Sequence, residues 1–300
     1  MLPRRHIRIK VFQSLYTLAQ QNEDKKFNIK KEFKNNLQGY SNLYHFIINL
    51  LSIMKEIAKE EINIKKQNLI PSKEDLNPNT KFIKNHFLLN IKNKPNIYTA
   101  QENEKIKNNL KTIFRKIQKS KTYNSYMHNT SHNSKDDDRS IILHILKNYL
   151  IIDKQMHEIM EDCSIYWNDD ILVVYNILLE KINNNQSLNT IKLFRKKDDE
   201  IFAHSLLKET INKEKYTSTI IYELVKNWDK ERIALSDLII MRMAITEITY
   251  IKDIPHKVTL DEYIEISKEY STPKSNEFIN GVLDVFIKDI LSKKSKNLNI

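Results

Sequence analysis

The sequence predicts an all-α protein, and three features carry that expectation. Only two glycines, Gly39 and Gly281, and six prolines occur in 300 residues. Glycine supplies the positive-φ turns of hairpins and the close backbone approach of phosphate loops, so a sandwich, a dinucleotide-binding sheet or a P-loop is disfavoured. Apolar residues recur at helical spacing along much of the chain, and polar, turn-rich stretches separate those segments.

Taken in order, residues 4–20 read as an amphipathic helix with Ile7, Val11, Leu15 and Leu18 on one stripe. Residues 41–66 form a second, whose inner side holds Leu43, Phe46, Ile47, Leu50, Met54, Ile57 and Ala58. The stretch from Pro71 to Pro78 is polar and turn-rich. Residues 80–92 and 102–120 are each predicted helical, and 128–139, lacking apolar periodicity, are predicted to be a loop. Helical patterns resume at 139–161, 169–182 and 198–213, with Asn183 to Ser187 breaking the last two apart. In the final third, 217–227 and 236–250 are strongly helical. Pro255 stops the second of these, because the residue before proline avoids the helical region. Thr259 and Glu262 have the spacing of a capping box. Ser275 is predicted to cap a last helix carrying Phe278, Ile279, Val282, Leu283 and Phe286.

The 49 Lys and Arg exceed the 38 Asp and Glu, for a formal charge of +11, which favours polyanionic partners. Lysine, asparagine and isoleucine crowd the whole chain, as an AT-rich genome would produce, so the placement of arginine says more than the total. A single cysteine, Cys163, excludes an intrachain disulfide and a cysteine-rich zinc site, and suits a reducing cytoplasm. No apolar run spans a bilayer; Leu43–Met54 is too short. Arg8 and Lys10 interrupt what would be the apolar part of a leader, so export is not expected. Catalytic patterns are poor: the histidines show no His-Glu-x-x-His, and the Ser-x-x-Lys matches at Ser52–Lys55 and Ser271–Lys274 lack a following Lys-Thr-Gly. Asp136–Asp138 and Asp169–Asp170 read as loop and helix-start charges. No cofactor, metal or catalytic residue is expected.

Four segments resemble the NusB family, in order along the chain. Arg4-Arg5-His6-Ile7-Arg8 through Tyr16 resembles its arginine-rich opening helix. Leu238 to Ile248, with Arg242 and Glu247, resembles its apolar helix. Ile254-Pro255-His256-Lys257-Val258 and Phe278-Ile279-Asn280-Gly281-Val282-Leu283-Asp284 resemble its Pro-x-Lys-Val turn and its signature helix. The resemblance implies a helical bundle of two subdomains. It divides the chain into NusB-like helices at 1–66, an inserted or extended helical region at 67–215, and a NusB-like subdomain at 216–300. The central part departs from the compact pattern and is similar to a long form of the family, around Leu76 to Thr80 and Ser164 to Asp170.

The resemblance further implies an adaptor that binds the boxA element of nascent ribosomal RNA with NusE, a small-subunit ribosomal protein, inside the RNA polymerase antitermination complex in the cytoplasm. Its RNA side would comprise Arg4, Arg5, Arg8, Lys10, Tyr16, Lys257, Lys274, Ser275, Phe278 and Asn280. Its NusE side would comprise Asp237, Arg242 and Glu247. Residue by residue, plainer readings stand beside these. Phe12 reads as core. Phe278 is either core or a stacking platform, and Asn280 a base contact or a loop cap. Gly281 serves close helix packing or close approach of an RNA backbone. Glu247 faces NusE or pairs within the fold, and Trp167 and Trp228 read as packing anchors. Two other functions remain open: a ribosomal RNA methyltransferase accessory domain, disfavoured by the little chain left after the signature helix, and a ribosome-assembly factor without antitermination activity.

Overall fold

The computed structural model describes residues 1–21, 27–92, 100–129, 134–226, 230–251 and 254–297. Among them every regular element is helical. In chain order these are α1 (Arg4–Ala19), α2 (Ile29–Lys66), α3 (Lys73–Leu76), α4 (His86–Asn90), α5 (Ala100–Gln118), α6 (Lys121–His128) and α7 (Ser134–Ile145). They continue with α8 (Lys154–Cys163), α9 (Ile171–Asn183), α10 (Lys197–Asn212), α11 (Glu214–Leu224), α12 (Leu235–Tyr250), α13 (His256–Tyr270) and α14 (Ser275–Asn297). A π-helical turn, Leu146–Leu150, and two 3-10 turns complete the set.

The chain forms two compact units. One comprises Met1–Leu37 with Phe194–Ile300, and the other Gln38–Leu193. The divisions therefore fall within α2 and just before α10.

In the first unit α12 is the central helix. Ile239, Ile240, Met241, Met243, Ala244 and Ile245 are all buried, and α1, α10, α11, α13 and α14 pack around it. A helix apolar on all sides belongs inside a bundle. Helix α1 is less one-sided than its apolar stripe predicts. Besides Ile7, Val11 and Leu15, the polar residues His6, Arg8, Lys10 and Ser14 are buried. Asn36 helps hold it: the amide donates to the Lys10 carbonyl at 3.2 Å and to Ser14 Oγ at 3.3 Å.

The buried charge on α1 is matched. Arg8 donates through Nε to Glu247 Oε2 at 2.8 Å and through Nη2 to Oε1 at 2.6 Å. Thr259 and Tyr263 of α13 donate to the same carboxylate, at 2.9 and 3.0 Å. Arg8 is 2 % exposed and Glu247 0 %. One carboxylate thus ties α1, α12 and α13 together with four hydrogen bonds. Burial works against the charged form of Arg8, but hydrogen bonding to Glu247 offsets it, and the guanidinium pKa stands above its ordinary value. Burial, reinforced by the charge of Glu247, holds the Tyr263 hydroxyl well above the usual phenol range, so it stays a donor.

The second unit is built on the larger part of α2. Tyr40, Leu43, Tyr44, Ile47, Leu50 and Met54 are buried, the Tyr44 hydroxyl donates to the Leu188 carbonyl at 3.0 Å, and Phe46 packs on Trp167 at 5.0 Å. Trp167 is the expected packing anchor; Trp228 lies outside the described residues. Gly39 lies close against Tyr166: a Cβ there would sit 3.0 Å from the Tyr166 Cβ, so the tyrosine would have to give by a few tenths of an ångström.

Several boundaries differ from the sequence reading, each for a physical reason. Helix α2 begins at Ile29, twelve residues before 41, because Phe33, Leu37 and Tyr40 are buried at helical spacing within a polar stretch. The predicted helix 80–92 shrinks to α4, since the Asn85 side chain accepts from the Phe87 and Leu88 amides and starts the helix there. Helix α7 begins inside the predicted 128–139 loop; residues 130–133 of that loop lie outside the described residues. Asp138 on α7 accepts from the His86 amide at 2.7 Å and from the Tyr126 hydroxyl at 2.6 Å, contacts no local pattern reveals. The predicted helix 139–161 is interrupted after the π turn, and Asp153 caps α8 by accepting from the Met156 amide.

The Glu247 carboxylate sets a stability test. Glu247→Ala strips a buried guanidinium of both its close hydrogen bonds, leaving only Glu262 at 3.7 Å, and is expected to cost about 3–5 kcal/mol, whereas replacing Arg8 and Glu247 together by methionine should recover most of that loss. Urea unfolding followed by circular dichroism measures both; equal losses in the two variants would show that the charge pairing is not what holds α1.

Candidate nucleic-acid interface

The structure separates the predicted RNA residues into an exposed set and an internal set. Arg4 and Arg5 lie in the first turn of α1, their side chains 44 % and 45 % exposed. Arg4 donates to Asp199 at 3.0 Å. Arg5 makes two parallel bonds to Glu262, at 2.9 and 3.0 Å. Bonding to Glu262, aided by the charges of Glu265 and Glu269, raises the Arg5 pKa. Phe202 on α10 carries both the Arg4 and Arg8 guanidiniums over its ring, at 5.2 and 5.1 Å. Glu262, Asp199 and Phe202 are thus neighbours of the opening arginines that the sequence did not single out, and no local signal joins residues so far apart.

Arg8 and Lys10 do not belong to the exposed set. Arg8 is consumed by Glu247, and Lys10 is 0 % exposed; an enclosed cation cannot meet a phosphate in solvent. Ser275 is also internal. It is the first residue of α14 rather than the cap before it, 4 % exposed, and its hydroxyl donates to Asp237 Oδ2 at 2.8 Å. Ser271 donates to the other oxygen of Asp237, and its Oγ stands 2.9 Å from Ser275 Oγ. These hydroxyls fix the α13–α14 turn to the start of α12.

The same geometry corrects the NusE set. Glu247 is enclosed and Asp237 is 5 % exposed, each engaged within the unit. Arg242 keeps 15 % of its side chain exposed, paired with Glu214 at 2.9 Å and bonded to Ser218 at 2.9 Å. It borders a 480 Å³ cleft lined by Leu15, Leu18, Phe27, Ile211 and Ile239. The capping-box reading of Thr259 and Glu262 also falls. Helix α13 starts earlier, at His256 after Pro255; Thr259 is buried against Glu247, and Glu262 holds Arg5.

What the structure does bring together runs along α1 and α13. Arg5 meets Glu262, and seven residues on Phe12 meets Tyr270, ring centroids 5.1 Å apart, so the two helices run side by side in the same direction. Tyr16, 38 % exposed, lies against Phe12 at 6.0 Å. Both helix starts carry base and no acid in the first turn, Arg4 and Arg5 on α1, His256 and Lys257 on α13. Unpaired N–H groups and the helix dipole already make such an end electropositive, and cations there oppose helix formation but favour a bound anion. Beyond Tyr270, Lys274 and Asn280 are exposed and Phe278 is half-buried, while Ile279, Val282 and Leu283 fill the core side of α14. Among the described residues, no cluster of His, Cys, Asp and Glu suits a metal ion, and no helix is long and apolar enough to cross a membrane.

This all-helical arrangement, with basic helix starts and a half-buried aromatic at the head of the last helix, is that of a helical bundle with a cationic face and, among the described residues, no membrane-spanning helix. The NusB family pattern matches residues 168–288. The transcription antitermination protein NusB of Thermodesulfovibrio yellowstonii is 36 % identical over 127 residues, covering 42 % of this chain and 83 % of that protein. The NusB protein of Salinibacter ruber is 43 % identical over 89 residues, 30 % of this chain and 56 % of its own length. That of Chloroherpeton thalassium is 39 % identical over 92 residues, 31 % and 44 % respectively. The chain thus spans about half the length of two of these curated relatives and most of the third. No solved structure matches it. The chain belongs to the NusB family.

Gly281 separates packing from access. It is exposed, and a Cβ there would have no atom within 4 Å, so close helix packing does not explain it. Gly281→Ala is expected to raise stability by about 0.8–1.0 kcal/mol, the ordinary helix-propensity difference. Thermal melting checks it, and a fall in stability would reveal a contact on that face.

Proposed function

We propose that this chain is a non-catalytic transcription antitermination factor that binds boxA-type RNA together with NusE, within the RNA polymerase antitermination complex in the cytoplasm. The observation that carries the reading is the 36 % identity to a protein named as an antitermination factor, extending over 83 % of that protein. The paired basic starts of α1 and α13 support it from the chemistry. Arg4, Arg5 and Lys257 are the residues proposed to neutralise phosphates, with Tyr16 and Lys274 extending that surface. Phe278 is proposed to stack a base, which its partial exposure permits, and Asn280 to contact a base edge. Arg242 and the cleft beside it are proposed to face NusE.

The internal residues have a supporting part in this reading. Arg8 and Glu247 hold the α1 start beside α13, and Asp237 with Ser271 and Ser275 holds the α14 start. The Arg4–Asp199 and Arg5–Glu262 pairs must give way, or share their arginines, when phosphate arrives. Because both pairs are partly solvated, that exchange costs little.

RNA titration with and without NusE tests the proposal. NusE should tighten boxA binding, and by linkage RNA should tighten NusE binding by the same factor; independent binding of the two ligands would refute it. In the same assay Phe278→Ala should weaken boxA binding by about 1–3 kcal/mol with little change in salt slope. Arg5→Ala should instead flatten the slope by about 0.7.

A further inference from the structure

We propose that the second unit carries its own RNA-backbone surface, formed by the exposed face of α5 and the turn into α6. From Lys105 to Lys135 the sequence contains no Asp or Glu. Helix α5 turns Ile106, Leu110, Ile113, Phe114 and Ile117 inward. On its outward side Arg115 and Lys116 are exposed and Lys111 is half-buried, and Lys119 and Lys121 follow in the turn and at the start of α6. Lys111, Arg115 and Lys119 are spaced four residues apart, so they rise about 6 Å per step along one ridge.

The carboxylates that approach α5 are taken by other groups. Glu60 holds Lys107 at 2.6 Å, Glu61 accepts from the Gln118 amide at 2.7 Å, and Asp162 holds Lys105 at 3.2 Å. Among the described residues, none of Lys111, Arg115, Lys116, Lys119 or Lys121 has an ion pair. This contrasts with Arg4 and Arg5, which already face carboxylates. Arg115 and Lys116 also complement the C-terminal end of α5. That account does not extend to Lys121, which sits in the first turn of α6 among no acids, where a cation opposes the helix dipole.

A polyphosphate backbone fits this surface better than a membrane. A membrane-surface helix needs a free apolar face to insert, and the apolar face of α5 is buried in the unit. The exposed residues between the cations are Asn108, Thr112, Thr122 and Asn124, which can hydrogen-bond phosphate oxygens and the 2′-hydroxyl that distinguishes RNA from DNA. Only the choice of RNA rests on the function proposed above; the charge argument stands without it.

The test uses the full chain and an oligouridylate that lacks boxA, with affinity measured by fluorescence anisotropy at several salt concentrations. Replacing Lys111, Arg115, Lys116 and Lys119 together by glutamine should reduce the salt slope by about 2.8, from about 0.7 per lost phosphate contact. The wild-type affinity would then fall roughly 50-fold more than the variant's between 50 and 200 mM salt. Unchanged melting of the variant would show that it folds, since all four side chains point outward. An unchanged slope in the folded variant overturns the proposal. Equal losses on oligodeoxythymidylate, or on phosphatidylserine vesicles, overturn the assignment to RNA. The oligouridylate titration contains neither boxA nor NusE, so failure of the boxA reading appears in the NusE experiment and failure of this one appears here.

Discussion

The buried pairing of Arg8 with Glu247 is the constraint on which the first unit depends. A guanidinium and a carboxylate removed from water each carry a desolvation cost of several kcal/mol, and the pair is tolerable only when its remaining hydrogen-bonding capacity is filled. Thr259 and Tyr263 fill it on the carboxylate side. On the other side Arg8 reaches Glu262 at 3.7 Å and lies over the Phe202 ring. Because these partners come from α1, α10, α12 and α13, the geometry is satisfied in only one relative placement of the four helices. The pair thereby specifies register where apolar packing alone would tolerate sliding.

That register sets what the surface offers. With α1 held alongside α13 in the same direction, both basic helix starts fall at one end of the unit. The Asp237 hydroxyl cluster does the corresponding work for α14, since it anchors Ser271 and Ser275 on either side of the turn that carries Lys274 and leads to Phe278. In both places an internal carboxylate positions exposed cationic or aromatic groups without itself being available to a ligand. The residues most conspicuous by charge are therefore split between structure and surface, and only burial distinguishes the two.

The second unit solves a different problem. Its core is aromatic, with Phe82 against Phe114 at 5.3 Å and Tyr123 at 5.6 Å, and its buried Asp138 carboxylate is satisfied by the His86 amide and the Tyr126 hydroxyl. Its helix starts rely on side chains such as Asn85, Ser120 and Asp153 to satisfy otherwise unpaired amides, as short helices require. Among the described residues, the cations from Lys111 to Lys121, along α5 and the turn into α6, have no ion pair and stand close together on the surface of the unit. Their sequence signal, a long stretch without acid, was visible but blends into a lysine-rich chain; the structure adds that they share one face and lack partners.

By itself the sequence determined the helical class, through glycine scarcity and apolar spacing, and it determined most of the last third, where α11, α12 and α14 follow strong periodicities. It also placed the aromatic and basic positions of the signature segments, because those depend on residue type and short spacing alone. The tertiary structure decided which charges are internal. Arg8 and Arg5 have the same side chain three residues apart on one helix, yet one is enclosed by Glu247 and the other stands in solvent beside Glu262. It likewise decided that Thr259 and Ser275 satisfy buried carboxylates instead of capping helices, and that α7 starts where no apolar pattern begins. Each of these outcomes depends on a partner far away in the chain, and neither helical period nor local propensity carries information about which distant group will arrive to share a hydrogen bond.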